Sequence, residues 1–400
     1  MSNIGFAEYL WVDGLSPAQQ IRSRARVVSV PDSPVVTDFP IWNFDESQMG
    51  QAEGCESGCI LNPVRVYRDP FRGVNDYVVL CEVNDADKKV HASNIRARMR
   101  KMLDCLGEAV DPWLGFEQEY TLFRDVRSLE VPGNGVPGSQ GSYYCGVGSE
   151  NVYGRKLAEA HARTCIDAGI LIYGMNAVMP GQWAFRVGYR GIDSERCDAL
   201  TVADDVWVAR YLLSRVGEEF DMRVSFGNKP RRGDWNGAGM RANFSTADTR
   251  DPNKRQKALV GIVDALEVGH SGDADEYGGG PRESLGGECE ARSNDTFASG
   301  IAHRGAPIRI PRTVTWKGCV YLEGRCFGVD SDPYRIGLFL IAAAVADGDG
   351  NRALRLLQET ELLLMKNRQD ASGTDTLRHP NCLSKFHVRS NGSRQDGGSP

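Results

Sequence analysis

Up to about residue 92, apolar positions come in short or alternating runs, Tyr9-Leu10-Trp11-Val12, Ala25-Arg26-Val27-Val28 and Tyr77-Val78-Val79-Leu80-Cys81-Glu82-Val83, broken by Pro, Gly and Asp. A period of two with such punctuation predicts β-strands joined by turns. The period then lengthens. Ile95, Met99, Met102, Leu103 and Leu106 recur every three or four residues behind a capping Ser93 or Asn94, and Gly107 stops them, so a helix is expected with a domain boundary after it. Residues 113–123 read as a strand. Residues 154–168 read as a helix with Leu157, His161, Ala162, Cys165 and Ile166 on one side and Gly169 as its stop. Residues 201–216 repeat that pattern through Val202, Val206, Ala209, Leu212, Leu213 and Val216, Pro333 opens an apolar helix ending near Gly348, and a further helix runs from 351 to about 367. The mixture predicts an α+β protein with an N-terminal domain over 1–107, a larger domain over 108–368, and a polar, mobile tail over 369–400 with little to bury.

Composition narrows the function classes. The 400 residues are 41% apolar, enough to fill the core of one large or two smaller domains. A net charge of −6, with no basic stripe carrying interleaved aromatics, argues against nucleic acid as a partner. The first ten residues lack a basic segment followed by an apolar block, and the longest apolar stretch, 336–346, is about half a membrane span, so no membrane partner is expected and the protein reads as soluble and cytoplasmic. Eleven Cys at irregular spacing, none in a Cys-x-x-Cys pair, form neither a disulfide framework nor a zinc motif. Cys55 and Cys59, four apart in a Gly-rich loop, are read as reduced thiols rather than a redox or metal pair.

The candidate chemistry begins at Phe116-Glu117-Gln118-Glu119-Tyr120, where a strand would set Glu117 and Glu119 on one face. Two acids that close repel unless a cation lies between them or one is protonated, although a solvated strand face carries such pairs as well.

Several segments jointly resemble glutamine synthetase of the eukaryotic-like type. They are Trp42-Asn43-Phe44-Asp45, Pro70-Phe71-Arg72-Gly73, Gly115-Phe116-Glu117-Gln118-Glu119-Tyr120-Thr121-Leu122, Tyr143-Tyr144-Cys145-Gly146-Val147-Gly148, Met179-Pro180-Gly181-Gln182-Trp183, Gly233-Asp234-Trp235-Asn236-Gly237-Ala238-Gly239 and Tyr321-Leu322-Glu323, in the family's order. The resemblance implies a small β-grasp-like N-terminal domain and a larger catalytic domain built on a curved antiparallel sheet. It also implies a homo-oligomeric ring, commonly stacked pentamers making a decamer, with each active site between two subunits. In the family, ATP phosphorylates the γ-carboxylate of glutamate and ammonia displaces the phosphate, with two divalent ions neutralising oxygens that would otherwise repel.

Carried over position by position, the ligand set is uneven. Glu117 and Glu323 match two ligands of the ion at the nucleotide phosphates, but the expected His is Arg241. A guanidinium has no lone pair for a cation. For the second ion Glu119 remains, while the family's Asn-Ala-Glu-Val-Met-Pro is shortened to Asn176-Ala177-Val178-Met179-Pro180 and its Gln-Trp-Glu reads Gln182-Trp183-Ala184. The departures favour a metal-free salt-bridge cluster of Glu117, Arg241 and Glu323, with retained two-metal binding, or an Arg241 turned outward to bind phosphate, as alternatives. ATP and Mg²⁺ or Mn²⁺ are therefore in doubt as cofactors.

Other family positions persist. Arg304 and Arg309 match phosphate-facing arginines, and Arg325 matches an arginine at the γ-carboxyl or phosphoryl group. Asn236 with Gly237 matches contacts to the amino-acid end, Asp45 matches the residue that helps deprotonate ammonium across the interface, and Glu290 matches the flap glutamate. Further departures lie nearby, with Glu283 and Ser284 in place of two consecutive arginines and Cys326 where an Arg is expected. Cys289 and Cys326 are read as small fillers rather than nucleophiles.

Two readings stay open. One is a glutamine-synthetase-like enzyme that handles glutamate or a γ-glutamyl amide or conjugate by acyl transfer, hydrolysis or amide ligation without the two-metal site, as in specialised metabolism. The other is a catalytically silent homologue with a structural or regulatory role. The departures weigh against ordinary ATP-driven ligation of ammonia to glutamate, since each lost metal ligand or arginine costs orders of magnitude in rate.

Overall fold

The structure is a computed structural model. It describes residues 3–15, 18–44, 50–51, 58–124, 127–128, 143–192, 195, 197–229, 237–271, 299–301, 303, 305–312 and 321–370.

A five-stranded sheet opens the chain: β1 (Asn3–Val12), β2 (Ile21–Val30), β3 (Trp42–Phe44), β4 (Cys59–Arg68) and β5 (Tyr77–Asn84), in the order β2-β1-β5-β4-β3. The central β1 and β5 are parallel and their neighbours antiparallel. The expected strands fall inside β1, β2 and β5. Cys59 begins β4 and is buried, its thiol donating to the Gln51 carbonyl at 3.1 Å, so the Gly-rich loop expected there ends before it. Cys55 lies outside the described residues.

Helix α1 (Ile95–Leu106) follows the sheet. The Asn94 side chain accepts from the Ala97 N–H at 3.0 Å, and Gly107 takes a positive φ of 62° past the end, as the sequence pattern predicts.

The larger sheet starts with β6 (Trp113–Arg124) and β7 (Arg127–Ser128). After α2 (Arg155–Ala168) come β8 (Ile172–Met179) and β9 (Gln182–Val187), and after α3 (Ala199–Glu219) come β10 (Arg223–Ser225) and β11 (Gly239–Ser245). The short α4 (Ala247–Arg250) and α5 (Arg255–Ser271) lead to β12 (Ser299–Ile301), β13 (Ile308–Ile310) and β14 (Leu322–Gly328), then α6 (Pro333–Val345) and α7 (Gly350–Asp370). The strand order is β12-β13-β14-β11-β6-β9-β8, with β10 and β7 also on β6. All pairs are antiparallel except β12 with β13, giving the curved antiparallel sheet of an α+β fold. Helix α7 runs two residues into the segment expected to be tail, and residues 371–400 lie outside the described residues.

One face of this sheet packs on the helices. Leu114, Phe116, Tyr120 and Leu122 of β6 join Val206, Leu213, Met240 and Leu340 in the main core, so alternation leaves Glu117 and Glu119 on the opposite face. The apolar block at 336–346 is the buried interior of α6. At Gly337 an added Cβ would lie 2.6 Å from Met99 Cε and 3.1 Å from Leu114 Cδ1, so α1 and α6 meet closely there and a larger residue would have to displace the Met99 side chain. No helix among the described residues is long and apolar enough to cross a membrane.

A buried ionic network joins the smaller sheet to these helices. Arg96 Nε and Nη2 donate to Asp204 at 2.8 and 2.9 Å, its Nη1 donates to Glu82 at 2.7 Å, and the Tyr334 hydroxyl donates to Asp204 at 2.7 Å. Beside it Tyr67 donates to Asp205 at 2.9 Å. These groups are nearly dry, so pairing is obligatory.

Candidate functional site

The site is a cross-strand row on that opposite face of the larger sheet. Glu117 of β6 stands directly opposite Arg186 of β9 on one side and Arg241 of β11 on the other. Arg241 Nη1 donates to Glu117 Oε1 at 2.6 Å, and Arg186 reaches Oε2 with Nε and Nη2 at 3.0 Å each. Arg186 is fixed further by Nη1 donating to the Asn176 side-chain oxygen of β8 at 2.7 Å.

Glu119, two residues on, accepts the Gly239 N–H on Oε2 at 2.9 Å and faces Arg241 Nη2 at 3.5 Å from Oε1. Glu323 of β14 has both oxygens on other arginines, Oε2 on Arg309 at 2.6 Å and Oε1 on Arg325 at 3.0 Å. The expected Glu117, Arg241, Glu323 cluster is thus drawn differently. Arg241 bridges the two β6 acids, and Glu323 is taken by Arg309, its direct partner across β13, and by Arg325. The reason is register. A bulge places Arg325 and Cys326 opposite the single Arg241, which leaves Arg325 beside Glu323 on its own strand.

The acids are held rigidly from behind. Gln118, between them, points into the core, where Arg210 of α3 donates to its Oε1 from Nε and Nη2 at 2.9 and 2.6 Å, and its own amide donates to Val329 O at 2.8 Å. That anchor fixes which way β6 faces. Burial lowers the Arg210 pKa to about 10, so its charge persists at neutral pH.

Burial opposes the charge on Arg241, but the facing carboxylates of Glu119, Glu117 and Glu323 outweigh it and raise its pKa. Burial and the neighbouring Arg241 lower that of Arg325, with Glu323 working against them. Among the described residues, Arg325 Nε and Arg309 Nε are buried without a hydrogen-bond partner. Burial pushes the Cys326 thiol up to about 11, which agrees with a filler rather than a nucleophile.

The segments that the resemblance associates with a second ion are apolar here. Val178, Met179 and Ala184 form a small buried apolar cluster with Tyr143 against it. Ala184 lies directly opposite Glu119, and the shortened segment bulges at Val178. A divalent ion needs several oxygen ligands, and among the described residues no group of three or more His, Cys, Asp or Glu could hold a metal. Among the described residues the donor set therefore does not fit the two-ion centre that the family implies.

Gly237 is buried, and its carbonyl accepts from the Gln182 side chain at 3.0 Å. Asp45, Asn236, Glu290 and Arg304, together with Cys289, lie outside the described residues. Sequence reasoning missed Arg186 and Asn176. Reading on two residues from Ala184 would have put Arg186 on the same face, opposite Glu117.

No family model matches the chain, but its relatives are clear. It is 45% identical over 344 residues to a glutamine synthetase of Panulirus argus, covering 84% of this chain and 91% of that protein. A chloroplastic glutamine synthetase of Chlamydomonas reinhardtii is 42% identical over 346 residues, covering 84% and 89%, and a glutamine synthetase of Streptomyces viridochromogenes is 41% identical over 339 residues, covering 84% and 95%. With this identity along most of each relative, and with the curved antiparallel sheet carrying Glu117, Glu119 and Glu323 on one face, the chain belongs to the glutamine synthetase family.

Proposed function

We propose that this chain acts on glutamate or a γ-glutamyl amide or conjugate, by acyl transfer, hydrolysis or amide ligation, at a site that works without divalent ions. One observation carries the reading: all four carboxylate oxygens of Glu117 and Glu323 are held by guanidinium groups at 2.6 to 3.0 Å. A guanidinium on each of these oxygens takes up a lone pair and sets a positive charge where a cation would have to approach. The described residues instead set four guanidiniums, Arg186, Arg241, Arg309 and Arg325, against three carboxylates, an excess of positive charge suited to a substrate carboxylate.

In this reading Arg325, beside Glu323 and matching the family's arginine at that group, receives the γ-carboxyl or γ-carbonyl oxygen. Asn236 and Gly237 hold the amino-acid end, Arg304 and Arg309 face an anionic group, and Asp45 from a neighbouring subunit of a ring accepts a proton from the amine, with Glu290 closing over it. Supporting this are the family membership and the retention of these residue types in the sequence.

Calorimetry tests it. Glutamate, or a γ-glutamyl amide, titrated into the full chain in EDTA is expected to bind with the same affinity as in Mg²⁺ or Mn²⁺. Binding that appears only with the metal would return the chain to metal-dependent ligation. An intact assembly with neither binding nor turnover would leave the silent role.

A further inference from the structure

We infer that Arg186 and Arg241 jointly replace one divalent cation, as two fixed positive charges built into neighbouring strands. The inference deepens the metal-free reading above and rests on it for its functional meaning, but the geometry stands by itself. Glu117 sits in one cross-strand row between them, with Arg241 on Oε1 and Arg186 on Oε2. Two guanidiniums carry the charge of one divalent ion. Unlike an ion, they cannot dissociate, and they present donors to the acid and to the open face alike.

Both are needed. With Arg241 alone, Glu117 Oε2 would keep lone pairs directed at the face, and a cation could still settle beside it. Arg186 closes that oxygen, and is aimed there by its contact to Asn176 of β8 at 2.7 Å. Arg241 is held from its other side by Glu119. The apolar wall of Val178, Met179 and Ala184 stands on the far side of Glu119, so β9 adds no further acid beside that residue. The sequence offers two independent signals for the exchange, a guanidinium at 241 and another at 186, placed by register on the two flanks of a single carboxylate.

The test is a Mn²⁺ titration of the metal-stripped full chain, followed by the electron paramagnetic resonance signal of the free ion, with no substrate present. Wild type is expected to leave that signal at the amplitude seen in buffer. Arg186→Gln with Arg241→His is expected to remove about one equivalent of Mn²⁺, with affinity at least about tenfold above wild type. Adding Glu117→Gln to that pair should abolish the uptake, and each single substitution should fall between, because one guanidinium still covers Glu117. A wild-type protein that takes up stoichiometric Mn²⁺ and loses it on Glu117→Gln would overturn the inference. So would a double variant with wild-type circular dichroism that takes up none. Should the neutral pair fail to fold, the wild-type titration decides, with Arg186→Lys plus Arg241→Lys expected to exclude Mn²⁺ equally. Failure of glutamate to bind in EDTA would remove the proposed function and leave this result untouched.

Discussion

Glu117→Gln and Arg241→Gln, made singly and together, measure how firmly protein charge holds the centre of the site. The two groups meet at 2.6 Å with side chains 15% and 27% exposed, so solvent screens them only partly. Unit charges about 4 Å apart attract by about 4 kcal/mol at an effective dielectric of about 20. Desolvation and side-chain ordering offset part of that, which leaves an expected coupling of about 2 kcal/mol. Arg241→Gln alone leaves Glu117 on Arg186 and Glu119 on the Gly239 N–H, so it should cost about 2 kcal/mol. Glu117→Gln should cost more, about 3 kcal/mol, because it leaves two guanidiniums facing one another. Equilibrium urea unfolding at fixed protomer concentration, in EDTA and again in Mn²⁺, gives the cycle. A coupling below about 0.5 kcal/mol, the range of plain additivity, would refute the clamp. So would a coupling that exists only when Mn²⁺ is added, since the ion and not Arg241 would then be the partner.

Ala184→Glu returns an acid to a wholly buried position beside Val178 and Met179, and should destabilise the protein by about 2 to 3 kcal/mol with no rescue by Mn²⁺ in thermal melts; a neutral effect would show a wet, accommodating pocket. Asp204→Asn breaks a buried bidentate pair with Arg96 and should cost about 3 to 5 kcal/mol in urea unfolding, a loss under about 1 kcal/mol counting against the network. His161 Nε2 donates to Ala209 O at 3.0 Å and lies 3.1 Å from Cys165 Sγ inside the core, and burial lowers its pKa to about 4. Because its folded pKa is depressed below the ordinary 6.5, its contribution is intact above pH 6.5 and lost as pH falls towards 4, about 3 kcal/mol in all. Asp205, raised by burial to about 6, works oppositely: its penalty is full above pH 6 and relieved between 6 and 3.8. Wild type should therefore lose about 2 kcal/mol more than His161→Asn between pH 6.5 and 4.5, and parallel unfolding profiles would refute the assignment.

The elements were legible where period and punctuation agreed. Asn94 and Gly107 bracket α1 as their chemistry requires, and β6 shows its two acids on one face by alternation alone. The strands β8, β9 and β11 carry weaker signals, because Gly, Asn, Gln and Arg interrupt their apolar positions and β8 bulges twice, which breaks the period of two. The departures from the family's ligand pattern could be read at Arg241 and Ala184. What replaced them could not, because the partners of Glu117 and Glu323 are set by cross-strand register and by the bulge at Arg325 and Cys326, and register is a property of pairing rather than of any one strand.

Two corners of this face differ, and the difference bears on function. Exchanging a buried ionic cluster for well-packed apolar side chains is often neutral or stabilising, so stability alone gives no reason to keep charges on a partly buried face. The corner beside Ala184 is hydrocarbon. The corner around Glu117 and Glu323 kept three carboxylates and four arginines, ordered from behind by Gln118 and Arg210, with donor atoms of Arg309 and Arg325 left over among the described residues. A face that needed only to fold would be expected to resemble the first corner throughout. The surplus of directed donors at the second is what an anionic ligand would complete, and that argument, more than any single residue, supports a binding role over a silent one.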